Sequence, residues 1–274
     1  VPAATAGAGL MDWLTIQRGA APLIVAFPHG GTDLAGCGFG SEWLARRDTD
    51  WWIDEVYDFA RDMGATLVAT DISRSVIDAN RDPSGASLYP GMATTGLCPE
   101  TTFDGEPLIP APLDDAEIAR RRETWHAPYH AALAAEMERL RSIYPRVVLY
   151  DAHSIRSRVP RLFPGELPLF NIGTNDGRSC APELESAVAT VCAASGESHV
   201  VNGRFKGGWT TRHHGDPARG IHAVQMELAM RGYLAEPAEP TAENWPPRPD
   251  PRRLAHLQPI LKRVLSACLA FAGE

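Results

Sequence analysis

Pro22-Leu23-Ile24-Val25-Ala26-Phe27-Pro28-His29-Gly30-Gly31 is a short apolar run with β-branched members that ends in a polar, glycine-containing turn, the signature of a buried strand. The pattern recurs far downstream, where Val147-Val148-Leu149-Tyr150 runs into Asp151-Ala152-His153-Ser154. Each stretch therefore places a histidine just past a strand. A further strand is expected over Ala65 to Thr70, and another over Leu167 to Ile172. Between them lie helical periods. Apolar residues recur at three- and four-residue steps from Asp50 to Met63, with Gly64 as C-cap, and from Asp114 to about Ile143, punctuated by Pro128. Pro182 to Ala194 and Arg252 to Ala272 also predict helices, the last following a proline-rich segment, 237–251. His222 to Met230 fits helix or strand equally well. Strands alternating with helices predict an α/β fold with a largely parallel sheet covered on both faces. In such sheets the site forms outside the carboxyl ends of the strands, where both histidines fall.

The chain has 274 residues, 44% of them hydrophobic, enough to bury a large core. No repeat or shift in composition divides it, so one domain over 1–274 is expected. A formal charge of -8 argues against a nucleic-acid or anionic-membrane binder, whose polyphosphate partner the long-range field would repel. A small anionic substrate then requires a local basic pocket. The five cysteines are odd in number and widely spaced, with no C-x-x-C pair, which favours neither a disulfide framework nor a cysteine zinc site and points to the reducing cytoplasm. Val1 to Leu10 lacks a basic start followed by a long apolar stretch, and no apolar run reaches membrane-spanning length. Nothing in the sequence sets an oligomeric state.

Two histidines at equivalent strand ends can share one ion, because neutral imidazole is a common zinc ligand and catalytic zinc takes three protein ligands plus water. A carboxylate is expected to complete the set with His29 and His153. His126 and His130 are four apart, but Pro128 intervenes and the first is not followed by glutamate, so they read as structural. His213-His214, in a polar stretch from Trp209 to Asp216, reads as pocket lining or as a solvated loop. Ser73 to Asp82 carries Arg74, Asp78, Asn80 and Arg81, which suits either a clamp for an acidic substrate or a surface web of ion pairs. There is no G-x-S-x-G, no Walker loop and no G-x-G-x-x-G after a strand.

Seven ordered blocks carry a family resemblance: P-H-G-G-T (28–32), S-R-S-V-I-D-A-N-R-D-P-S-G (73–85), L-Y-P-G (88–91), T-T-G-L-C-P (94–99), D-A-H-S-I-R-S-R-V-P-R-L-F-P-G (151–165), N-I-G-T-N (171–175) and F-K-G-G-W-T-T-R-H-H-G (205–215). From about residue 22 to about 235 the chain resembles N-formylglutamate deformylase, also called N-formylglutamate amidohydrolase. That family resembles the wider zinc carboxypeptidase and aspartoacylase group, which implies a three-layer α/β/α fold with a mixed, largely parallel central sheet. It also implies a cytoplasmic, metal-dependent amidohydrolase of histidine catabolism that releases formate and glutamate from N-formylglutamate. The metal would be zinc, with cobalt or manganese as alternatives. The rival readings are a related zinc-dependent deacylase or carboxypeptidase acting on another N-acyl amino acid, and a non-catalytic zinc- or ligand-binding homologue. By the same resemblance Asp50 is the preferred third ligand over Asp33, Arg74 polarises the scissile carbonyl, and Asn80 and Arg81 hold a substrate carboxylate. Glu227 corresponds to a catalytic glutamate that follows a late strand, and Arg156, Arg158, Arg212 and His213 are further carboxylate contacts. Two positions depart from the pattern. Thr32 stands where the wider group has a zinc-binding glutamate, and Leu169 where close relatives are expected to be acidic.

Overall fold

The computed structural model describes residues 11–273, so the reading of Val1 to Leu10 lies outside it. Seven strands form one sheet: β1 (Leu14–Gln17), β2 (Leu23–Phe27), β3 (Thr66–Thr70), β4 (Val147–Ile155), β5 (Phe170–Gly173), β6 (His199–Val201) and β7 (Ile221–Ala229). Their order is β1-β3-β2-β4-β7-β5-β6. The central four, β3, β2, β4 and β7, are mutually parallel. β1 and β5 join them antiparallel, and β6 runs parallel to β5, so the sheet is mixed.

Strand β2 is buried throughout because both of its faces are covered. Leu23, Val25 and Phe27 pack with α5 (Pro182–Ala194) and the long terminal helix α7 (Pro251–Gly273), whereas Ile24 and Ala26 pack with α4 (Ala127–Arg141). Strand alternation thus feeds two cores, one on each side, and yields the expected three layers. No described helix is long and apolar enough to cross a membrane.

Several local expectations need correction. The period from Asp50 to Met63 is not one helix. It breaks into α2 (Ile53–Val56) and a 3₁₀ turn at Asp58–Ala60, because Trp52 adopts a left-handed conformation with φ of 61° and uncouples Asp50 from the helix. The helical pattern from Asp114 does persist through Pro128. A π turn at Arg122–His126 joins α3 (Asp115–Arg121) to α4, and this wider turn accommodates a ring that cannot donate a hydrogen bond. The undecided segment at His222 is strand β7. His153 lies within β4 and Glu227 within β7, where the sequence placed each of them beyond a strand. The polar stretch at Trp209 is a short helix, α6 (Trp209–His214), and Ser41 caps an unanticipated α1 (Glu42–Arg47). Strands β1 and β6 also escaped the sequence reading.

Candidate active site

The face of the sheet that packs on α4 changes character along β4 and β7. Val147 pairs with Ile221 and Leu149 with Ala223, both apolar; the next pairs on that face are Asp151 with Gln225 and His153 with Glu227. Beyond the reach of α4 this polar end of the sheet is roofed by the irregular segment after β3, which carries Arg74, Asp78, Asn80 and Arg81. Strand register therefore sets His153 beside Glu227 on one surface.

His29 follows β2 by two residues. Gly31 lets this turn approach the end of β3, since a Cβ there would lie 2.3 Å from the carbonyl carbon of Asp71. His29 and His153 present their Nδ1 atoms to one another at 3.1 Å, and Asp50 Oδ2 lies 3.2 Å from the second and 3.7 Å from the first. All three residues are buried, and theirs is the one such group of metal-ligating side chains among the described residues. Asp50 turns inward because the left-handed Trp52, not Asp50, heads α2; its Oδ2 also accepts a hydrogen bond from Ser154 N at 3.1 Å. Asp33 is exposed and its carboxylate accepts from Ala35 N, so it lies outside the cluster. Thr32 offers Arg46 only its carbonyl oxygen.

The donor set fits a small divalent metal. Three atoms each about 2.1 Å from a tetrahedral centre stand about 3.4 Å apart, and the edges here are 3.1, 3.2 and 3.7 Å. A carboxylate also stands behind each imidazole: His29 Nε2 is hydrogen-bonded to Asp78 Oδ1 at 2.6 Å, and His153 Nε2 lies 2.8 Å from Asp151 Oδ2. Carboxylates in those places orient histidine ligands and raise their basicity. Burial, reinforced by the Arg74 charge, lowers the pKa of His29. Burial also opposes the charge on His153, but Asp151 and Asp50 outweigh it and raise that pKa well above the ordinary histidine value.

Glu227 lines the same cleft, with the Gln225 amide 3.5 Å from its Oε2. Burial, with Asp50 and Asp151 adding to it, pushes its carboxyl up to about 8 against the pull of His153 and Arg74. Arg74 donates to Asp50 Oδ1 at 3.3 Å and Asp78 Oδ2 at 3.0 Å and lies 4.7 Å over the Phe103 ring. Arg81 is held by Thr95 O, Asn80 O and the Thr94 and Thr95 hydroxyls, and also lines the cleft. Asn80 is committed within the protein: its Oδ1 accepts from Thr210 N at 2.8 Å and its Nδ2 donates to Gln225 Oε1 at 3.3 Å. The cleft has about 500 Å³ of empty space, its mouth included.

Four expected contacts stand elsewhere. Arg156 pairs with Asp48 and Asp104, and Asp48 in turn fixes Phe103 N. Arg158 is exposed and pairs with Glu166. Arg212 lies 5.1 Å over the Tyr89 ring, and His213 stacks on Trp209 at 4.8 Å beside His130 and His214. Sequence reasoning missed Arg204, Tyr89 and Gln225, all of which line the cleft. Arg204 stands one residue before the F-K-G-G block, the only signal that marked it. Leu169 is buried core beside Gly232 and does not line the cleft.

Fold and cleft together define an α/β protein with side chains that could hold a metal at the strand ends and a buried carboxyl beside them. The chain belongs to the N-formylglutamate amidohydrolase family, whose model matches residues 21–234. It is 46% identical to the N-formylglutamate deformylase of Pseudomonas putida over 268 residues, covering 95% of this chain and 97% of that one. It is 48% identical to the enzyme of the same name from Pseudomonas aeruginosa over 232 residues, covering 82% and 86% of the two chains. In structure it resembles the N-formylglutamate amidohydrolase of Ralstonia eutropha JMP134, with a TM-score of 0.76, 26% identity and coverage of 96% and 97%.

Proposed function

We propose that this protein hydrolyses the formyl amide of N-formylglutamate to formate and glutamate, with a divalent metal held by His29, Asp50 and His153. The observation that carries the metal is the convergence of two imidazole Nδ1 atoms and one carboxylate oxygen within 3.7 Å of one another. Support for the substrate comes from the names of the two Pseudomonas relatives and their near full-length identity. Zinc is the favoured ion for a two-histidine, one-carboxylate set, with cobalt and manganese as alternatives.

When bound, such an ion supplies Lewis acidity and lowers the pKa of water in its open position. Glu227, beside His153 in the sheet, takes the proton of the attacking water and passes it to the leaving amide nitrogen. Its ionised form is favoured by positive charge nearby, so metal binding and the strength of this base are linked. Arg74 faces the cleft from between Asp50 and Asp78 and stabilises negative charge on the formyl oxygen. Arg81, locked in place by four oxygens, holds a substrate carboxylate. The five cysteines, all free, support a reducing compartment, the cytoplasm.

The test is formate release from N-formylglutamate by protein loaded with zinc, cobalt or manganese, beside protein stripped with a chelator. Activity that disappears on stripping and returns with metal is expected. Full activity in protein free of metal would remove the ion from the reading, and no activity with any of the three would remove the substrate.

A further inference from the structure

The cleft charges do not balance evenly. Arg74 is paired with two carboxylates, Asp50 and Asp78, and Arg81 Nε stands 3.9 Å from Asp78 Oδ2. Arg204 has no carboxylate within ion-pair distance among the described residues, although it lines the same cleft and is partly buried. Burial lowers its pKa and the charge of Arg81 adds to this, against an opposing pull from Tyr89 and Glu227. A cation kept in this position without a paired carboxylate is destabilising unless a ligand supplies one.

The side chain is also rigidly aimed. Nε donates to Leu162 O at 2.8 Å and Nη2 to Ala93 O at 2.6 Å, while the guanidinium lies 5.4 Å over the Tyr89 ring and 5.3 Å over Phe205. Tyr89 is itself fixed, donating to Gly207 O at 3.0 Å. Main-chain carbonyls use Nε and Nη2 and leave the donors of Nη1 uncommitted. Neutral carbonyl partners hold the guanidinium in place without neutralising it, which is the arrangement of an anion receptor.

We infer that Arg204 is a specificity-determining residue that receives the side-chain carboxylate of an acidic N-formyl amino acid; this deepens the proposed deformylase reading and rests on it. The scissile amide nitrogen is attached to the α-carbon, so the α-carboxylate stays close to the metal-ligand cluster. Arg81 is tied to that cluster through Asp78, which supports His29, and therefore takes the α-carboxylate. The second carboxylate of a dianionic substrate then falls to Arg204. Two guanidiniums at separate points explain how a chain of charge -8 selects a dianion.

The experiment compares N-formylglutamate with its neutral isostere N-formylglutamine in metal-loaded wild type, Arg204→Gln and Arg204→Lys. Wild type is expected to prefer the glutamate substrate. In Arg204→Gln, kcat/KM for N-formylglutamate should fall about 10- to 100-fold, mainly through KM, the loss expected for one charge-assisted hydrogen-bonding contact. Turnover of N-formylglutamine should stay within about threefold, which also reports that the variant is folded, and Arg204→Lys should restore part of the preference. An unchanged glutamate-to-glutamine ratio in Arg204→Gln, or an equal loss on both substrates, overturns the inference while leaving the deformylase reading intact. Wild type that deformylates neither substrate overturns both.

Discussion

Glu227 owes its chemistry to its neighbours. On an exposed strand it would be an ordinary carboxylate; enclosed beside His153 and near Asp50 and Asp151, it holds its proton up to about 8. Glu227→Gln keeps the shape and loses the ability to accept a proton. Turnover should fall by about 10²- to 10⁴-fold, with metal content and thermal stability near those of wild type, in formate-release, elemental and melting measurements. Near-normal turnover would make Glu227 a bystander. The arginines divide differently. Arg81→Ala should act mainly on KM, because a carboxylate clamp serves ground and transition states alike, whereas Arg74→Ala should act mainly on kcat. Steady-state kinetics with the opposite partition would exchange the two roles.

At the scale of elements, α6 is the support for the roof of the cleft. Its N-terminal Gly208 lies so close to Asn80 that an added Cβ would come within 2.4 Å of the side-chain amide. Gly208→Ala should therefore displace Asn80 from Gln225 and Thr210 N and lower kcat/KM at least about tenfold, while the melting temperature drops by only a few degrees. Unchanged kinetics would show that the amide has room to yield. The elements also differ in how far the sequence exposed them. β2, β3 and the start of β4 were readable because a strand covered on both faces is continuously apolar. β1 and β6 were not: they are short sheet edges, the first largely exposed and the second partly buried, and main-chain pairing holds them without a hydrophobic pattern. The extension of β4 through His153 was hidden because its polar end looks like loop, and β7 because its mixed apolar pattern fits helix and strand alike. His29 and His153 stood out in sequence, but Asp50 needed the family pattern, and Arg204 needed the fold to bring it to the cleft.

For the molecule as a whole, acid is the expected weak point. His126, His130 and His214 pack against one another, with His130 Nε2 bonded to Ala79 O and His126 Nε2 to Arg81 O, so they brace the cleft-lining turn from behind. Burial lowers the pKa of all three, with neighbouring imidazoles adding to it, and brings His214 down to about 3. At these three positions the folded protein thus binds fewer protons than the unfolded chain, whose histidines titrate near 6.5. Their contribution to stability is whole above that pH and is lost as pH falls below it, for His214 across the range down to about 3. Denaturant midpoints should decline from pH 7 to pH 5, and His214→Gln should flatten the decline by up to about 1.4 kcal/mol per pH unit. An identical slope in wild type and variant would place the acid sensitivity elsewhere.

The pairing of His153 with Glu227 has a consequence in time. These residues are 74 positions apart, and β5, α5, β6 and α6 lie between them in the chain. The parallel β4–β7 ladder cannot close until that intervening length has been placed, and long-range parallel pairing is intrinsically slow. A refolding chain should therefore recover its helical signal well before it recovers turnover. During biosynthesis His153 and Glu227 come together only after β7 has left the ribosome.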